Sequence, residues 1–232
     1  PAGRRLGPME RQLAFDLPCR SAQGREDFFV APANALALAT LDAPETWPQR
    51  KMLVIAPEGA GKSHLAQIWA DERSAVIVDA AALNAENAPG HAAAGAVVVE
   101  DADRIGGLGA AEAGLFHLHN LLQAEGGLLL LSARSAPRDW NLTLPDLRSR
   151  MEATPNVRIT PPDDALLAAV LVKLFADRQL VISATLVPWL VTRMDRSLAT
   201  ARRVVAALDA RALQKGSAVT RALASEVLDS LA

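Results

Sequence analysis

The chain has 232 residues, a net charge of −2, 50% hydrophobic and only 4% aromatic residues, and no tyrosine. That length can bury one large domain or two small ones, and the near-neutral charge excludes a global attraction to nucleic acid or to anionic membrane. One cysteine, Cys19, excludes an internal disulfide framework and fits a reducing cytoplasm, and no apolar run is long enough to span a bilayer.

Residues up to about Gly24 lack periodicity and read as a mobile arm. Its arginines have no apolar stretch behind them, so it is not a signal peptide. Met9 is a candidate start, and Pro1–Pro8 are set aside from fold reasoning. Ordered structure is expected from about Asp27. "KMLVI" (Lys51–Ile55), an apolar run between Pro48 and Pro57, predicts a buried strand. Leu65, Ile68 and Trp69 then recur at helical spacing. Further strands are expected at "AVIVD" (Ala75–Asp79), "AVVVED" (Ala96–Asp101), "GLLLLSA" (Gly127–Ala133) and, more weakly, "NVRIT" (Asn156–Thr160). Between them a helix places Leu115, Leu118, Leu121 and Leu122 on one face. Val- and Leu-rich strands alternating with helices predict an α/β fold with a parallel sheet flanked by helices.

From "PPDD" (Pro161–Asp164) the pattern is helical throughout. Leu166, Leu167, Val170, Leu171, Leu174 and Phe175 repeat at spacings of three and four behind Pro162. Ser183, Ser197 and Thr220 are the expected caps of three further helices. The expected organisation is an arm over 1–24, a nucleotide-binding α/β domain over 25–160 and a small all-α domain over 161–232.

The run "APEGAGKS" (Ala56–Ser63) sits between a strand and a helix. It matches the phosphate-loop pattern G-x-x-x-x-G-K-[ST] except that Ala56 replaces the first glycine. Glycines let successive N–H groups turn inward around phosphates, and the helix adds its positive end. Lys62 would reach the outer phosphates and the Ser63 hydroxyl a Mg²⁺ ion. Pro57, Glu58, Gly59, Ala60, Gly61, Lys62, Ser63 and His64 are the expected contacts of an adenine nucleotide, ADP or ATP. Such a loop also needs a carboxylate at a neighbouring strand end. Glu100 stands at the metal position, one methylene longer than the usual Asp, and Asp101 follows as the second, catalytic acid.

On these motifs the chain resembles the AAA+ P-loop ATPases, specifically the DnaA branch and within it the Hda group of DnaA-related replication regulators. "FFVAPANALALATL" is similar to the DnaA leading segment, with Phe29, Val30 and Asn34 matching; in the family it borders the adenine. "GAGKSHL", "VVVED", "LFHLHNLL", "LPDLRSRM" and "PPDDALLAAVLVKLFADRQL" follow in the family's order. The resemblance implies the AAA+ strand order and a helical lid. Two features point to Hda rather than DnaA. The chain ends with the lid, without a C-terminal DNA-binding domain, and the arm carries "QLAFDL", similar to a sliding-clamp-binding peptide. In that peptide Gln12 would hydrogen-bond at one end of a groove while Leu13, Phe15 and Leu17 fill apolar pockets. Arg150 in "LRSRM" aligns with the family's box VII arginine, which enters a neighbour's ATP site, and Arg148 is the adjacent candidate.

The departures from the family lie at the sensors. The acidic sensor 1 position is Ala133, with Arg134 next, and the lid arginine aligns with Ala199, with Arg196, Arg202 and Arg203 nearby but out of register. The combination implies a protein that holds a nucleotide and hydrolyses it poorly. The expected partners are the β subunit sliding clamp of DNA polymerase III and ATP-loaded DnaA, with little direct DNA binding, no membrane and a possible homo-oligomer. The expected setting is the cytoplasm, at the nucleoid through the clamp. A helicase-loader-type ATPase and a clamp-binding scaffold without chemistry stay as alternatives. His91, His117 and His119 lack metal-ligand spacing. Asp79 and Asp103 read as solvated loop acids, Arg202-Arg203 as too short a basic run for a DNA footprint, and Trp140 and Trp189 as packing residues.

Overall fold

The computed structural model describes residue 25 and residues 28–231. The stretch Gln12–Leu17, like Met9 and Cys19, lies outside the described residues. Five strands form one sheet: β1 (Lys51–Ile55), β2 (Val76–Asp79), β3 (Ala96–Glu100), β4 (Leu128–Ala133) and β5 (Asn156–Arg158). Every pairing is parallel, in the order β2-β3-β4-β1-β5. The interior position of β1 explains its apolar run after Lys51: it pairs with β4 through Leu53↔Leu131 and with β5 through Val54↔Val157, and both its faces are covered.

Alternation along the strands divides two cores. Leu53, Ile55, Val97, Val99, Leu129 and Leu131 face one layer, built from α3 (Ala88–Ala92), α4 (Gly109–Glu125) and α5 (Pro145–Ala153). There Leu115, Leu118 and Leu122 of α4 are fully buried and Leu121 packs at the edge. Met52, Val54, Val98 and Leu130 face α1 (Ala35–Asp42) and α2 (Lys62–Arg73), which supply Leu41, Leu65 and Trp69. A third core belongs to the C-terminal helices α6 (Asp164–Asp177), α7 (Leu186–Val191), α8 (Leu198–Lys215) and α9 (Arg221–Leu231). Asp163, Ser197 and Thr220 accept from the amides of Leu166, Thr200 and Leu223, and so cap α6, α8 and α9. Ser183 does not cap; its hydroxyl meets that of Thr185, and α7 begins only at Leu186. Among the described residues no helix is long and apolar enough to cross a membrane.

One buried acid fixes the position of α5. Glu112, 1% exposed on α4, accepts from the amides of Gly107 (2.9 Å), Thr143 (3.0 Å) and Leu144 (2.7 Å) and from the Thr143 hydroxyl (3.0 Å). It therefore ties the residues just ahead of α5 to α4. Burial alone raises a carboxyl pKa, but these donors outweigh it and hold Glu112 below its ordinary value. A lowered folded pKa gives stability that is present above the unfolded value, ordinarily 4.5, and is lost as pH falls through the folded one. Glu112→Gln should therefore cost about 1–3 kcal/mol near neutrality and flatten the loss of stability below that pH. Urea melts of both proteins from pH 7 downward check this.

Candidate functional site

β1 ends at Ile55 and passes directly into the loop ahead of α2. Ala56 is fully buried, its amide donates to the Ala133 carbonyl at 3.0 Å, and it is absent from the positive-φ residues. Gly59 and Gly61 have φ of +75° and +100°. The two glycines retained are thus the two whose backbones need the left-handed region, and the third stands where an ordinary backbone suffices. Pro57 and Glu58 are exposed and Ala60 is buried, with its amide on the Pro57 carbonyl at 3.3 Å. Glu58 pairs with Arg134 at 3.2 Å, so the arginine after the apolar sensor position reaches the loop. Ala133 itself is core.

Lys62 is nearly buried at the first turn of α2, with Nζ 3.3 Å from Oδ1 of Asp101. Asp101 has a left-handed backbone at φ 54°, its amide reaches the Ser132 hydroxyl at 3.3 Å, and its other oxygen lies 3.6 Å from Arg104. Of the two acids, then, Asp101 faces the loop lysine. Oε1 of Glu100 and Oδ1 of Asp103 are buried without a hydrogen-bond partner among the described residues. Asp103 is therefore not simply a solvated acid. Asp79 does behave as a loop acid, accepting from the Ala81 amide at 2.9 Å. An orphaned carboxylate oxygen on Glu100 and an exposed Ser63 hydroxyl suit a nucleotide-borne Mg²⁺, which takes most of its ligands from phosphates and water. No cluster of three or more His, Cys, Asp or Glu exists among the described residues.

The C-terminal helices close directly on the loop, which sequence reasoning missed. The Leu198 amide donates to the Gly59 carbonyl at 2.7 Å. A Cβ on Gly59 would collide with the Ser197 hydroxyl, and that hydroxyl is held in place by its cap bond to Thr200 at 3.1 Å. His64 is buried behind the loop. Its ring meets Phe28 edge-on at 5.4 Å, and Arg202 of α8 stands 3.4 Å from its Nδ1. Arg202 lies three residues after Ala199 and so on the same face of α8; that spacing was the available signal. Arg202 has no carboxylate partner among the described residues, and burial lowers its pKa. Arg196 instead pairs with Asp164 at 3.0 Å, and Arg203 is exposed. In the leading segment Asn34 is buried, accepting from the Ala31 amide and donating to the Phe29 carbonyl, both at 2.9 Å. Phe29 and Val30 are exposed beside it.

Arg150 stands apart from all this. It lies near the end of α5, over the Phe116 ring at 4.8 Å, with Nη1 3.4 Å from Nδ1 of His119. Lys51, close enough to raise the cost of protonating His119, opens β1. The loop lies beyond the opposite end of that strand, roughly 13 Å further on at ~3.3 Å per residue. Arg148 is exposed. Trp140 is core, with its indole N–H on the Ser135 carbonyl at 2.9 Å, and Trp189 packs under Arg193 at 4.5 Å.

Domain III of the Thermotoga maritima replication initiation protein DnaA superposes with a TM-score of 0.74 over 92% of this chain and 98% of that one, at 18% identity. The fold is that of the DnaA AAA+ domain. AMPPCP-bound DnaA from Aquifex aeolicus matches at TM-score 0.64 and 17% identity, covering 82% of this chain and 65% of that one. The ADP complex of the FIGL-1 AAA domain reaches 0.61 at 15% identity, over 85% and 80% of the two chains. In sequence, chromosomal replication initiator protein DnaA 2 of Chlamydia caviae is 29% identical over an alignment of 159 residues that covers 58% of this chain. The match spans about a third of that protein's length (35%). No family model matches the chain.

Gly59→Ala combines a positive φ with the Ser197 collision. It should cost about 1–3 kcal/mol and detach the start of α8, seen as faster hydrogen exchange at residues 197–202. Unchanged exchange there would contradict the contact.

Proposed function

We propose that the chain is an adenine-nucleotide-holding AAA+ regulator of the Hda type. It holds ADP or ATP in the loop at Pro57–His64 and supplies Arg150 to the ATP site of a DnaA neighbour. The observation that carries this reading is the position of Arg150. It sits at the opposite end of β1 from its own loop and has no acid partner among the described residues. It therefore cannot serve its own nucleotide and keeps its full charge for another. The DnaA fold supports a DnaA-type partner, and adenine nucleotides in the solved DnaA and FIGL-1 domains support the cofactor.

Within the chain Lys62 takes the outer phosphates and releases Asp101 to orient water. Ser63 and Glu100 would hold Mg²⁺, which screens phosphate charge when bound. The helices from Asp164 onward act as the lid, bringing Arg202 to His64 and so to the head of α2. Ala133 and Ala199 contribute no polar group, so intrinsic turnover is weak and hydrolysis takes place on the partner. Gln12, Leu13, Phe15 and Leu17 dock on the DNA-loaded β subunit clamp, which concentrates the regulator where replication proceeds. The outcome is inactivation of DnaA and prevention of re-initiation.

The test follows the decay of ATP pre-bound to DnaA, with this protein and DNA-loaded clamp added. Wild type should accelerate decay. Arg150→Ala should remove nearly all of the acceleration, since a trans arginine is worth roughly 10³–10⁵ in rate, while clamp binding is retained. Gln12→Ala/Leu13→Ala should lose clamp binding and acceleration together. Acceleration that survives Arg150→Ala would overturn the assignment, and clamp binding with no acceleration by wild type would leave a scaffold.

A further inference from the structure

Arg150 belongs to a cluster of bases that contains no acid among the described residues. Lys51 is 2% exposed, and among the described residues its ammonium finds only the Gln49 carbonyl at 3.2 Å and the Gln123 amide oxygen at 3.4 Å. His119 is 3% exposed between Lys51 and Arg150. None of the three forms an ion pair with a carboxylate among the described residues. Just ahead of Lys51, Gln49 and Arg50 carry consecutive positive φ values of 51° and 58°. Such a backbone costs of order 1–3 kcal/mol per residue, and it brings the Gln49 carbonyl onto the Lys51 ammonium.

Elementary chemistry sets the roles. A guanidinium only donates, so Nδ1 of His119 must accept from Arg150 and the ring proton sits on Nε2. Protonating the ring would leave two donors facing each other. Burial, then the charges of Lys51 and Arg150, push the His119 pKa down to about 4, so the neutral ring persists across the physiological range. Asn120, which hydrogen-bonds the ring, opposes the shift without cancelling it. Phe116 closes the other side with its π face, which attracts the guanidinium but, like the imidazole, does not neutralise it.

We propose that His119 is a positioning residue: a neutral acceptor that fixes the half-buried Arg150 guanidinium while leaving its charge uncompensated, so that Arg150, backed by the buried Lys51 and His119, receives an anionic oxygen, of the phosphate class, from a partner molecule. A carboxylate in the place of His119 would hold the arginine as firmly and cancel its charge. Neutral acceptance is thus the property that matters. The inference rests on the trans role proposed above for Arg150.

Two measurements separate the inference from that reading. The first needs no partner. Long-range ¹H–¹⁵N spectra of the imidazoles in the wild-type protein should give the Nε2–H tautomer for His119 from pH 8 to 5. In Arg150→Met, loss of a cation should raise the His119 pKa. An Nδ1–H tautomer, or a His119 that protonates near its ordinary value, would overturn the proposal whatever DnaA does. The second uses DnaA-bound ATP with DNA-loaded clamp and titrates His119→Asn against His119→Asp. Asn, a neutral acceptor, should keep the maximal rate within a few fold of wild type. Asp should lower that maximum by roughly tenfold or more, part of what such an arginine is worth, with the concentration for half-maximal effect little changed. Equal maxima for the two would overturn the proposal. Should Asp fail to fold, equal loss of the maximal rate in a folded Asn variant would overturn it also.

Discussion

The hydrogen bond from the Leu198 amide to the Gly59 carbonyl is where the two halves of the molecule meet. Gly59 carries a left-handed backbone, so its carbonyl turns toward the C-terminal helices while the loop stays free to wrap a phosphate. The same contact places the α8 cap at Ser197 against the loop and sets Arg202 beside His64 one turn into the helix. A side chain at Gly59 would break all three. The seating of α8 on the loop thus depends on a few atoms at this one turn.

Charge is distributed unevenly along β1. At its C-terminal end acids and a lysine are interleaved: Lys62 with Asp101, Asp101 with Arg104, and Glu100 with one oxygen unsatisfied. At its N-terminal end Lys51, His119 and Arg150 cluster without a carboxylate among the described residues. Cation–anion balance at the first end suits a nucleotide with its metal, and the excess of bases at the second suits an anion from outside. On the proposed function these are the two halves of a hydrolytic site that a single chain cannot close on itself. Glu112 contributes at a distance, since it anchors the residues ahead of α5 and α5 carries Arg150.

Much of the fold was legible because burial on both faces leaves little choice of sequence. The bounds of β1 were read to the residue between its flanking prolines. β2, β3 and β4 each differ by one residue at one end, beginning at Val76, ending at Glu100 and beginning at Leu128, and the edge strand β5, with one neighbour to hold its end, stops two residues early at Arg158. The turn from β1 into α2 was legible through its glycines, and Ala56 stands where an ordinary backbone suffices. Contacts between distant segments were not legible. Nothing local to Ser197 or Arg202 says that a loop well over a hundred residues earlier lies against them, and Ser183 read as a cap because a turn and a cap favour the same residue types. Arg150 was singled out through its motif, but its setting of Phe116 and His119 needed the packing of α4 against α5.

The central claim is that this chain retains a nucleotide without being the place where it is hydrolysed. One preparation of the isolated protein tests it: calorimetric titration with ADP and with ATP, followed by turnover of radiolabelled ATP in the same sample. The account predicts saturable binding that Lys62→Ala abolishes, with ATP recovered largely intact after many lifetimes of the complex. Multiple turnovers by the chain alone, lost in Lys62→Ala, would contradict it.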